Sequence, residues 1–170
     1  MELWDLFNRE GAFVATDHVR GSEMPQGSYH KIVRTVVQHT DGEYLLMQRD
    51  ENKVGNPGKF EFTAGGSATK GEDFEAAAIR ELFEETGVSA NELHRLTDMT
   101  VRSNGPFLEV IFFCVTDISK DAIMLQEGET QAYKWVSREK ILAYQDDQAY
   151  LIRLTPDLWT QMDAIYASYC

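Results

Sequence analysis

Residues 66 to 88 read Gly-Ser-Ala-Thr-Lys-Gly-Glu-Asp-Phe-Glu-Ala-Ala-Ala-Ile-Arg-Glu-Leu-Phe-Glu-Glu-Thr-Gly-Val. Neither Gly nor Pro interrupts the run from Asp73 to Thr86, and alanine, leucine and glutamate dominate it, so the spacing predicts a helix. At 100° per residue Glu81, Glu84 and Glu85 share an arc of about 100°, whereas Leu82, Ile79, Phe83 and Ala76 fall on the opposite side. One face is expected to be core and the other acid. Gly87 stands just past the run, where a left-handed residue ends a helix without a Cβ penalty. Upstream, Gly65 and Gly66 let the backbone approach another group closely, and Phe60 to Thr63 is expected to lead into that turn as a strand.

An acidic stripe on a helix is ordinarily a solvated surface, where like charges one turn apart cost a few tenths of a kcal/mol. Beneath a loop the balance changes. Two carboxylates about 6 Å apart repel by roughly 3 kcal/mol at an effective dielectric of 20, and a divalent cation is the natural remedy. Oxygen ligands of this kind suit Mg²⁺ or Mn²⁺. Arg80 sits beside the acids; with Ala76 and Ala77 one turn before it, its local acidic partner is Glu84.

The series Gly66, Glu72, Arg80-Glu81, Leu82, Glu84-Glu85, Gly87 and Val88 resembles the Nudix box in full. That family consists chiefly of hydrolases of a nucleoside diphosphate linked to a further group, so the resemblance implies a MutT-like pyrophosphatase acting on a small-molecule diphosphate. It further implies an α+β fold, with a mixed β-sheet sandwiched between helices. Carried over residue by residue, Glu81, Glu84 and Glu85 would be ligands of Mg²⁺, with Mn²⁺ an alternative, and the carbonyl of Gly65 would complete the shell. Glu72 and Arg80 would orient those ligands; Gly66 and Gly87 would shape the turns. The general base would be a helix glutamate or one from Gln126-Glu127-Gly128-Glu129-Thr130, with Glu129 and Glu127 as candidates. Glu109, a third, lies between apolar residues on a predicted strand and is as readily read as a solvent-facing charge.

The flanks are similar to a branch that includes isopentenyl diphosphate isomerase. The resemblance rests on Leu45-Leu46-Met47-Gln48-Arg49, Lys53, Pro57-Gly58, Phe60 to Gly66 and the N-terminal segment through Gly27-Ser28-Tyr29-His30. It covers most of residues 1 to 145. Isomerisation would need a protonating cysteine near the strand before the acidic helix, yet positions 60 to 72 hold none, and Cys114 is the only interior alternative. Hydrolysis is therefore the preferred reading, with the isomerase or a catalytically silent nucleotide sensor as alternatives. Arg34, Arg49, Lys53 and Lys59 are candidates to hold phosphates. Phe60, Phe62 and Trp135 are candidates to stack a base, though strand aromatics more often pack in a core.

With 170 residues and 43% hydrophobic content, the chain is long enough for one domain with a real core, taken as residues 1–170 with an N-terminal extension to about residue 29. The net charge of −12 argues against nucleic-acid polymers and anionic membranes as partners. No apolar run approaches the length that spans a bilayer, and Met1 to Asp5 lacks a secretion signal, so a cytoplasmic location is expected. Cys114 and Cys170 are read as free thiols.

Glu2 to Asn8 and Ala12 to His18 predict a hairpin; Lys31 to Gln38 and Tyr44 to Arg49 predict strands about a turn. Further strands are expected near Leu93 to Arg102, Phe107 to Thr116 and up to Val136. Ser137 is placed to cap a short helix to Tyr144, and a last helix is expected over about 155–169 with Pro156 at its first position. Its stripe of Leu158, Met162, Ile165, Tyr166 and Tyr169 is assigned to internal packing, with a homodimer contact as the alternative.

Overall fold

The chain opens with the expected hairpin, in which β1 (Leu3–Phe7) pairs antiparallel with β2 (Phe13–Val19) as a separate two-stranded sheet. Our computed structural model describes all residues except Asn91, Arg153 and Cys170, so the expectation of a free Cys170 lies outside the described residues. Next come β3 (His30–His39), β4 (Tyr44–Arg49), β5 (Phe60–Glu61), α1 (Phe74–Thr86), β6 (His94–Arg95), β7 (Thr100–Val101) and β8 (Phe107–Thr116). The chain ends with β9 (Thr130–Val136), α2 (Arg138–Ala143), β10 (Tyr150–Leu151) and α3 (Pro156–Tyr166).

These strands form a mixed sheet in the order β10-β5-β4-β3-β8-β6, with β9 on β4 and β7 on β8. β3 and β8 run parallel from His30↔Phe107 to His39↔Thr116, and most other pairs are antiparallel. Alternation sorts their side chains between two faces. Val36, Leu46, Phe113 and Val136 pack with Ile141 of α2 and with Leu158, Trp159 and Met162 of α3. Val37, Leu45, Met47 and Cys114 pack beneath Leu82 of α1. The result is the α/β/α sandwich expected of the sequence.

Three expectations are corrected by the structure. The strand predicted over Phe60 to Thr63 stops at Glu61, because the chain leaves β4 and crosses to β3, where Val33 N–H donates to Gly66 O (2.9 Å) and Thr35 N–H to Ala64 O (2.7 Å). The segment near Leu93 to Arg102 forms two two-residue strands. Between them the Thr97 hydroxyl, not a main-chain carbonyl, accepts from Ile111 N–H (3.0 Å) and interrupts the ladder. Lastly, α1 buries Ala77, Ala78, Leu82 and Thr86, while Ile79 and Phe83, read as core, are each 48% exposed. Two alanines allow that face to lie close on the sheet, and this rotation turns Glu81 and Glu85 inward. Most of the α3 stripe packs internally: Leu158 and Met162 are buried and Ile165 and Tyr166 pack against the same cluster, whereas Tyr169, past the helix end, is 39% exposed.

Candidate active site

Both ends of α1 are fixed by local chemistry. The Asp73 carboxylate accepts Ala76 N–H at the first turn, and Gly87, at φ 75°, closes the last by donating to Phe83 O. Asp73 satisfies a donor that the helix leaves unpaired. So held, the helix sets its inward acids against the crossing segment that precedes it. Gly65 N–H donates to Glu85 Oε2 at 2.8 Å. A Cβ on Gly65 would meet Val33 O at 2.1 Å, so that approach requires glycine.

Arg80 is the hub of the acids. Its Nε and Nη2 form a fork on Glu72 (2.7 and 2.9 Å), Nη2 also reaches Ser67 O (3.0 Å), and Nη1 donates to Glu81 (2.8 Å) and Glu84 (3.0 Å). The local pair with Glu84 expected from helical spacing is present, but the Glu72 fork is the better-formed contact. That Arg80 hydrogen bond, helped by Thr69 N–H, holds the Glu72 carboxyl down at about 2. Burial drives Glu81 upward against Arg80, and it pushes Glu85 up to about 8, opposed by Gly65 N–H and reinforced by Glu61, Glu81 and Glu129.

Glu81, Glu84, Glu85, Arg80, Gly65 and Gly66 line one cavity of about 380 Å³. Arg49 at the end of β4, Lys53 in the loop after it and Glu129 just before β9 line it too, so the proposed helix ligands, the glycine turn, Glu129 and two of the four phosphate candidates converge there. Glu129 is ion-paired with Lys53, whereas Glu127 is exposed and lies off the cavity. Among the described residues no three His, Cys, Asp or Glu side chains meet as a closed ligand set. A cation would take Glu81 and Glu84 from Arg80. The chemistry of the donors nonetheless suits a hard cation: an all-oxygen set surrounds a deeply placed Glu85 whose protein partner is one N–H.

Several residues of the site had no signal in the sequence. Glu2 and Arg20 enter the cavity from the hairpin, joined at 2.6 Å across 18 positions of chain. Glu109, named as a third base candidate with a solvent-facing charge as the alternative, fits neither reading: it lies off the acid cavity and is 2% exposed, accepting from Arg34 Nε (2.7 Å) and Arg102 Nη1 (2.9 Å). Glu61 similarly joins Arg34 (3.1 Å) to Arg49 (2.7 Å). Register explains this: β3 and β8 pair Ile32 with Glu109, which sets Arg34 diagonally across from it on the same face.

Other candidates fall elsewhere. Phe62 is core, Phe60 stacks on Tyr150, Trp135 packs below α1 and Lys59 lines no described cavity. Cys114 is a buried free thiol whose pKa burial pushes up to about 12.

The fold is a mixed-sheet sandwich that seats a glutamate helix against a glycine crossing, and comparison with known proteins gives the family. The NUDIX domain model matches residues 28–158. An uncharacterized Nudix hydrolase of Listeria innocua is 28% identical over 151 residues, covering 89% of each chain. An isopentenyl-diphosphate Delta-isomerase of Streptomyces coelicolor is 33% identical over 104 residues, 61% of this chain and 52% of that protein. The crystal structure of DR0079 from Deinococcus radiodurans superposes with a TM-score of 0.69 at 19% identity, covering 84% of this chain and 87% of that one. The chain belongs to the Nudix family, and its enzyme class is that of the pyrophosphohydrolases.

Proposed function

We propose that residues 1–170 act as one domain that hydrolyses the diphosphate of a nucleoside diphosphate linked to another moiety, with Mg²⁺ or Mn²⁺ held by Glu81, Glu84, Glu85 and the carbonyl of Gly65. The supporting observation is the single cavity shared by those acids, Arg49, Lys53 and Glu129. When bound, the ion supplies positive charge against the phosphate oxygens and makes water more acidic. Arg80, clamped by Glu72 and Ser67 O, takes the role of holding Glu81 and Glu84 in place. Arg49 and Lys53 are the cations nearest to hand for the diphosphate. Glu129, once Lys53 turns to a phosphate oxygen, is free to accept a proton from the attacking water. Cys114 sits in the core with its thiol protonated and gives isomerisation no proton donor on the cavity wall. Among the described residues no helix is long and apolar enough to cross a membrane, in keeping with a cytoplasmic role.

The test is a panel of nucleoside diphosphate derivatives assayed for released phosphate or monophosphate, with Mg²⁺ and with a chelator, for wild type and Glu84→Gln. Turnover is expected to require the cation and to fall by at least about 100-fold in the variant. Because Glu84 is partly exposed and its Arg80 pair is a surface contact, the variant should fold normally. A folded Glu84→Gln protein with near wild-type turnover removes Glu84 from the assigned role.

A further inference from the structure

Beyond the acid-lined cavity the site opens into a second one of about 260 Å³, and the two share Arg20, Arg49 and the backbone of 65–67 as a common wall. Arg34, Arg102 and Asn104 line the second cavity and not the first. In a chain of net charge −12, four of the nine arginines border this one space. Their arrangement is layered. Glu109 is 2% exposed behind Arg34 and Arg102, which keep 31% and 24% of their side chains accessible. Arg34 donates through Nε and Nη1 and Arg102 through Nη1, which leaves the Nη2 of each without a partner among the described residues. Exposed ion pairs contribute little to stability. A buried carboxylate with guanidiniums in front of it instead fixes two cationic donors on a cavity wall, Arg34 through its Nη2 and Arg102 through Nε and Nη2.

We infer that the second cavity binds a phosphate monoester carried by the substrate in addition to its diphosphate, so that the preferred substrates are nucleoside diphosphate derivatives bearing a further phosphate. This rests on the hydrolase reading above and deepens it. A phosphate monoester offers three acceptor oxygens, enough for Arg34, Arg102 and the Asn104 amide together, whereas a carboxylate offers two. The Nε/Nη2 fork that Arg102 keeps matches phosphate oxygens in geometry as well as charge, and Arg34 adds its Nη2. Arg20 and Arg49, on the shared wall, remain for the diphosphate. The diphosphate thus lies at the junction and the extra phosphate beyond it.

Two pairs of compounds that differ by one ribose phosphate test the inference: coenzyme A against dephospho-coenzyme A, and NADPH against NADH, each hydrolysed with Mg²⁺. In at least one pair the phosphorylated member should show a kcat/KM at least about tenfold higher. Arg102→Gln should bring that ratio towards one. Asn104→Asp, an exposed position where a new negative charge leaves the fold alone, should do the same. Separately, calorimetry on metal-free protein should show adenosine 3′,5′-bisphosphate or its 2′,5′ isomer binding at least about tenfold more tightly than 5′-AMP, an advantage lost in Asn104→Asp. Equal rates within both pairs overturn the inference while leaving hydrolysis standing. So does an Arg102→Gln variant that slows both members equally, since Arg102 would then serve the diphosphate. Should no compound be hydrolysed, the hydrolase reading fails and calorimetry alone decides, equal affinities overturning the phosphate site.

Discussion

Arg80 touches three carboxylates and a main-chain carbonyl, and sequence spacing shows one of those four contacts, the pair with Glu84. The others depend on where the chain before α1 returns. His30 makes a similar point on the hairpin side: it lies between the ring of Trp4 (3.8 Å, stacked) and the edge of Phe107 (5.0 Å) and is 3% exposed. Burial, assisted by neighbouring His18 and Arg20 and opposed by Glu2, lowers its pKa from 6.5 to about 4. The unfolded chain therefore takes up this proton first as the solution is acidified. The contribution of neutral His30 to stability is complete above pH 6.5 and is lost as pH falls towards 4. Urea unfolding at pH 7 and pH 4.5 should show wild type losing about 2 kcal/mol more than His30→Gln over that interval. Equal losses in the two proteins would mean that His30 is protonated in the folded state.

At the scale of elements, the extent of α1 was legible to within a residue because it depends on neighbours in sequence: alanine and glutamate favour it and Gly87 ends it, whereas the capping role of Asp73, read as the first helical residue, came from the structure. Its rotation was not, because two alanines pack as well as larger side chains when the sheet comes close, and a helical wheel weighs only hydrophobicity. The two glycines at the site separate these influences. Ala at 87 would adopt φ 75° and press on the flexible Met124 side chain at 3.0 Å, so Gly87→Ala should cost about 1–2 kcal/mol. At 65 the new methyl meets a main-chain carbonyl, which no side-chain rotation relieves. Gly65→Ala should therefore be destabilised by more than Gly87→Ala and lose turnover as well, as checked by thermal unfolding beside the hydrolysis assay. A Gly65→Ala protein as stable and active as wild type would show that the crossing has room the structure does not give it.

For the molecule as a whole, α3 closes the face of the sheet opposite α1. Trp159 packs on Tyr44 and Phe62, with Leu158 and Met162 buried beside it. Three such side chains contribute about 5–9 kcal/mol together, which is comparable to the entire stability of a domain. Deleting residues 156–170 should abolish the cooperative unfolding transition and the near-ultraviolet circular dichroism; a truncated protein that still unfolds cooperatively would assign the closure to other contacts. By itself, the sequence determined the family, the acidic helix with its two ends, the long strands and most residues of the acid cavity, since each rests on local propensity or on a contiguous motif. Only the tertiary structure decided that Glu2 and Arg20 reach the cavity from the hairpin, that α1 faces inward through its alanines, and that Glu109 is buried between Arg34 and Arg102. Those arrangements join residues far apart in the chain, and strand register and helix packing bring charges together at distances that sequence separation does not encode.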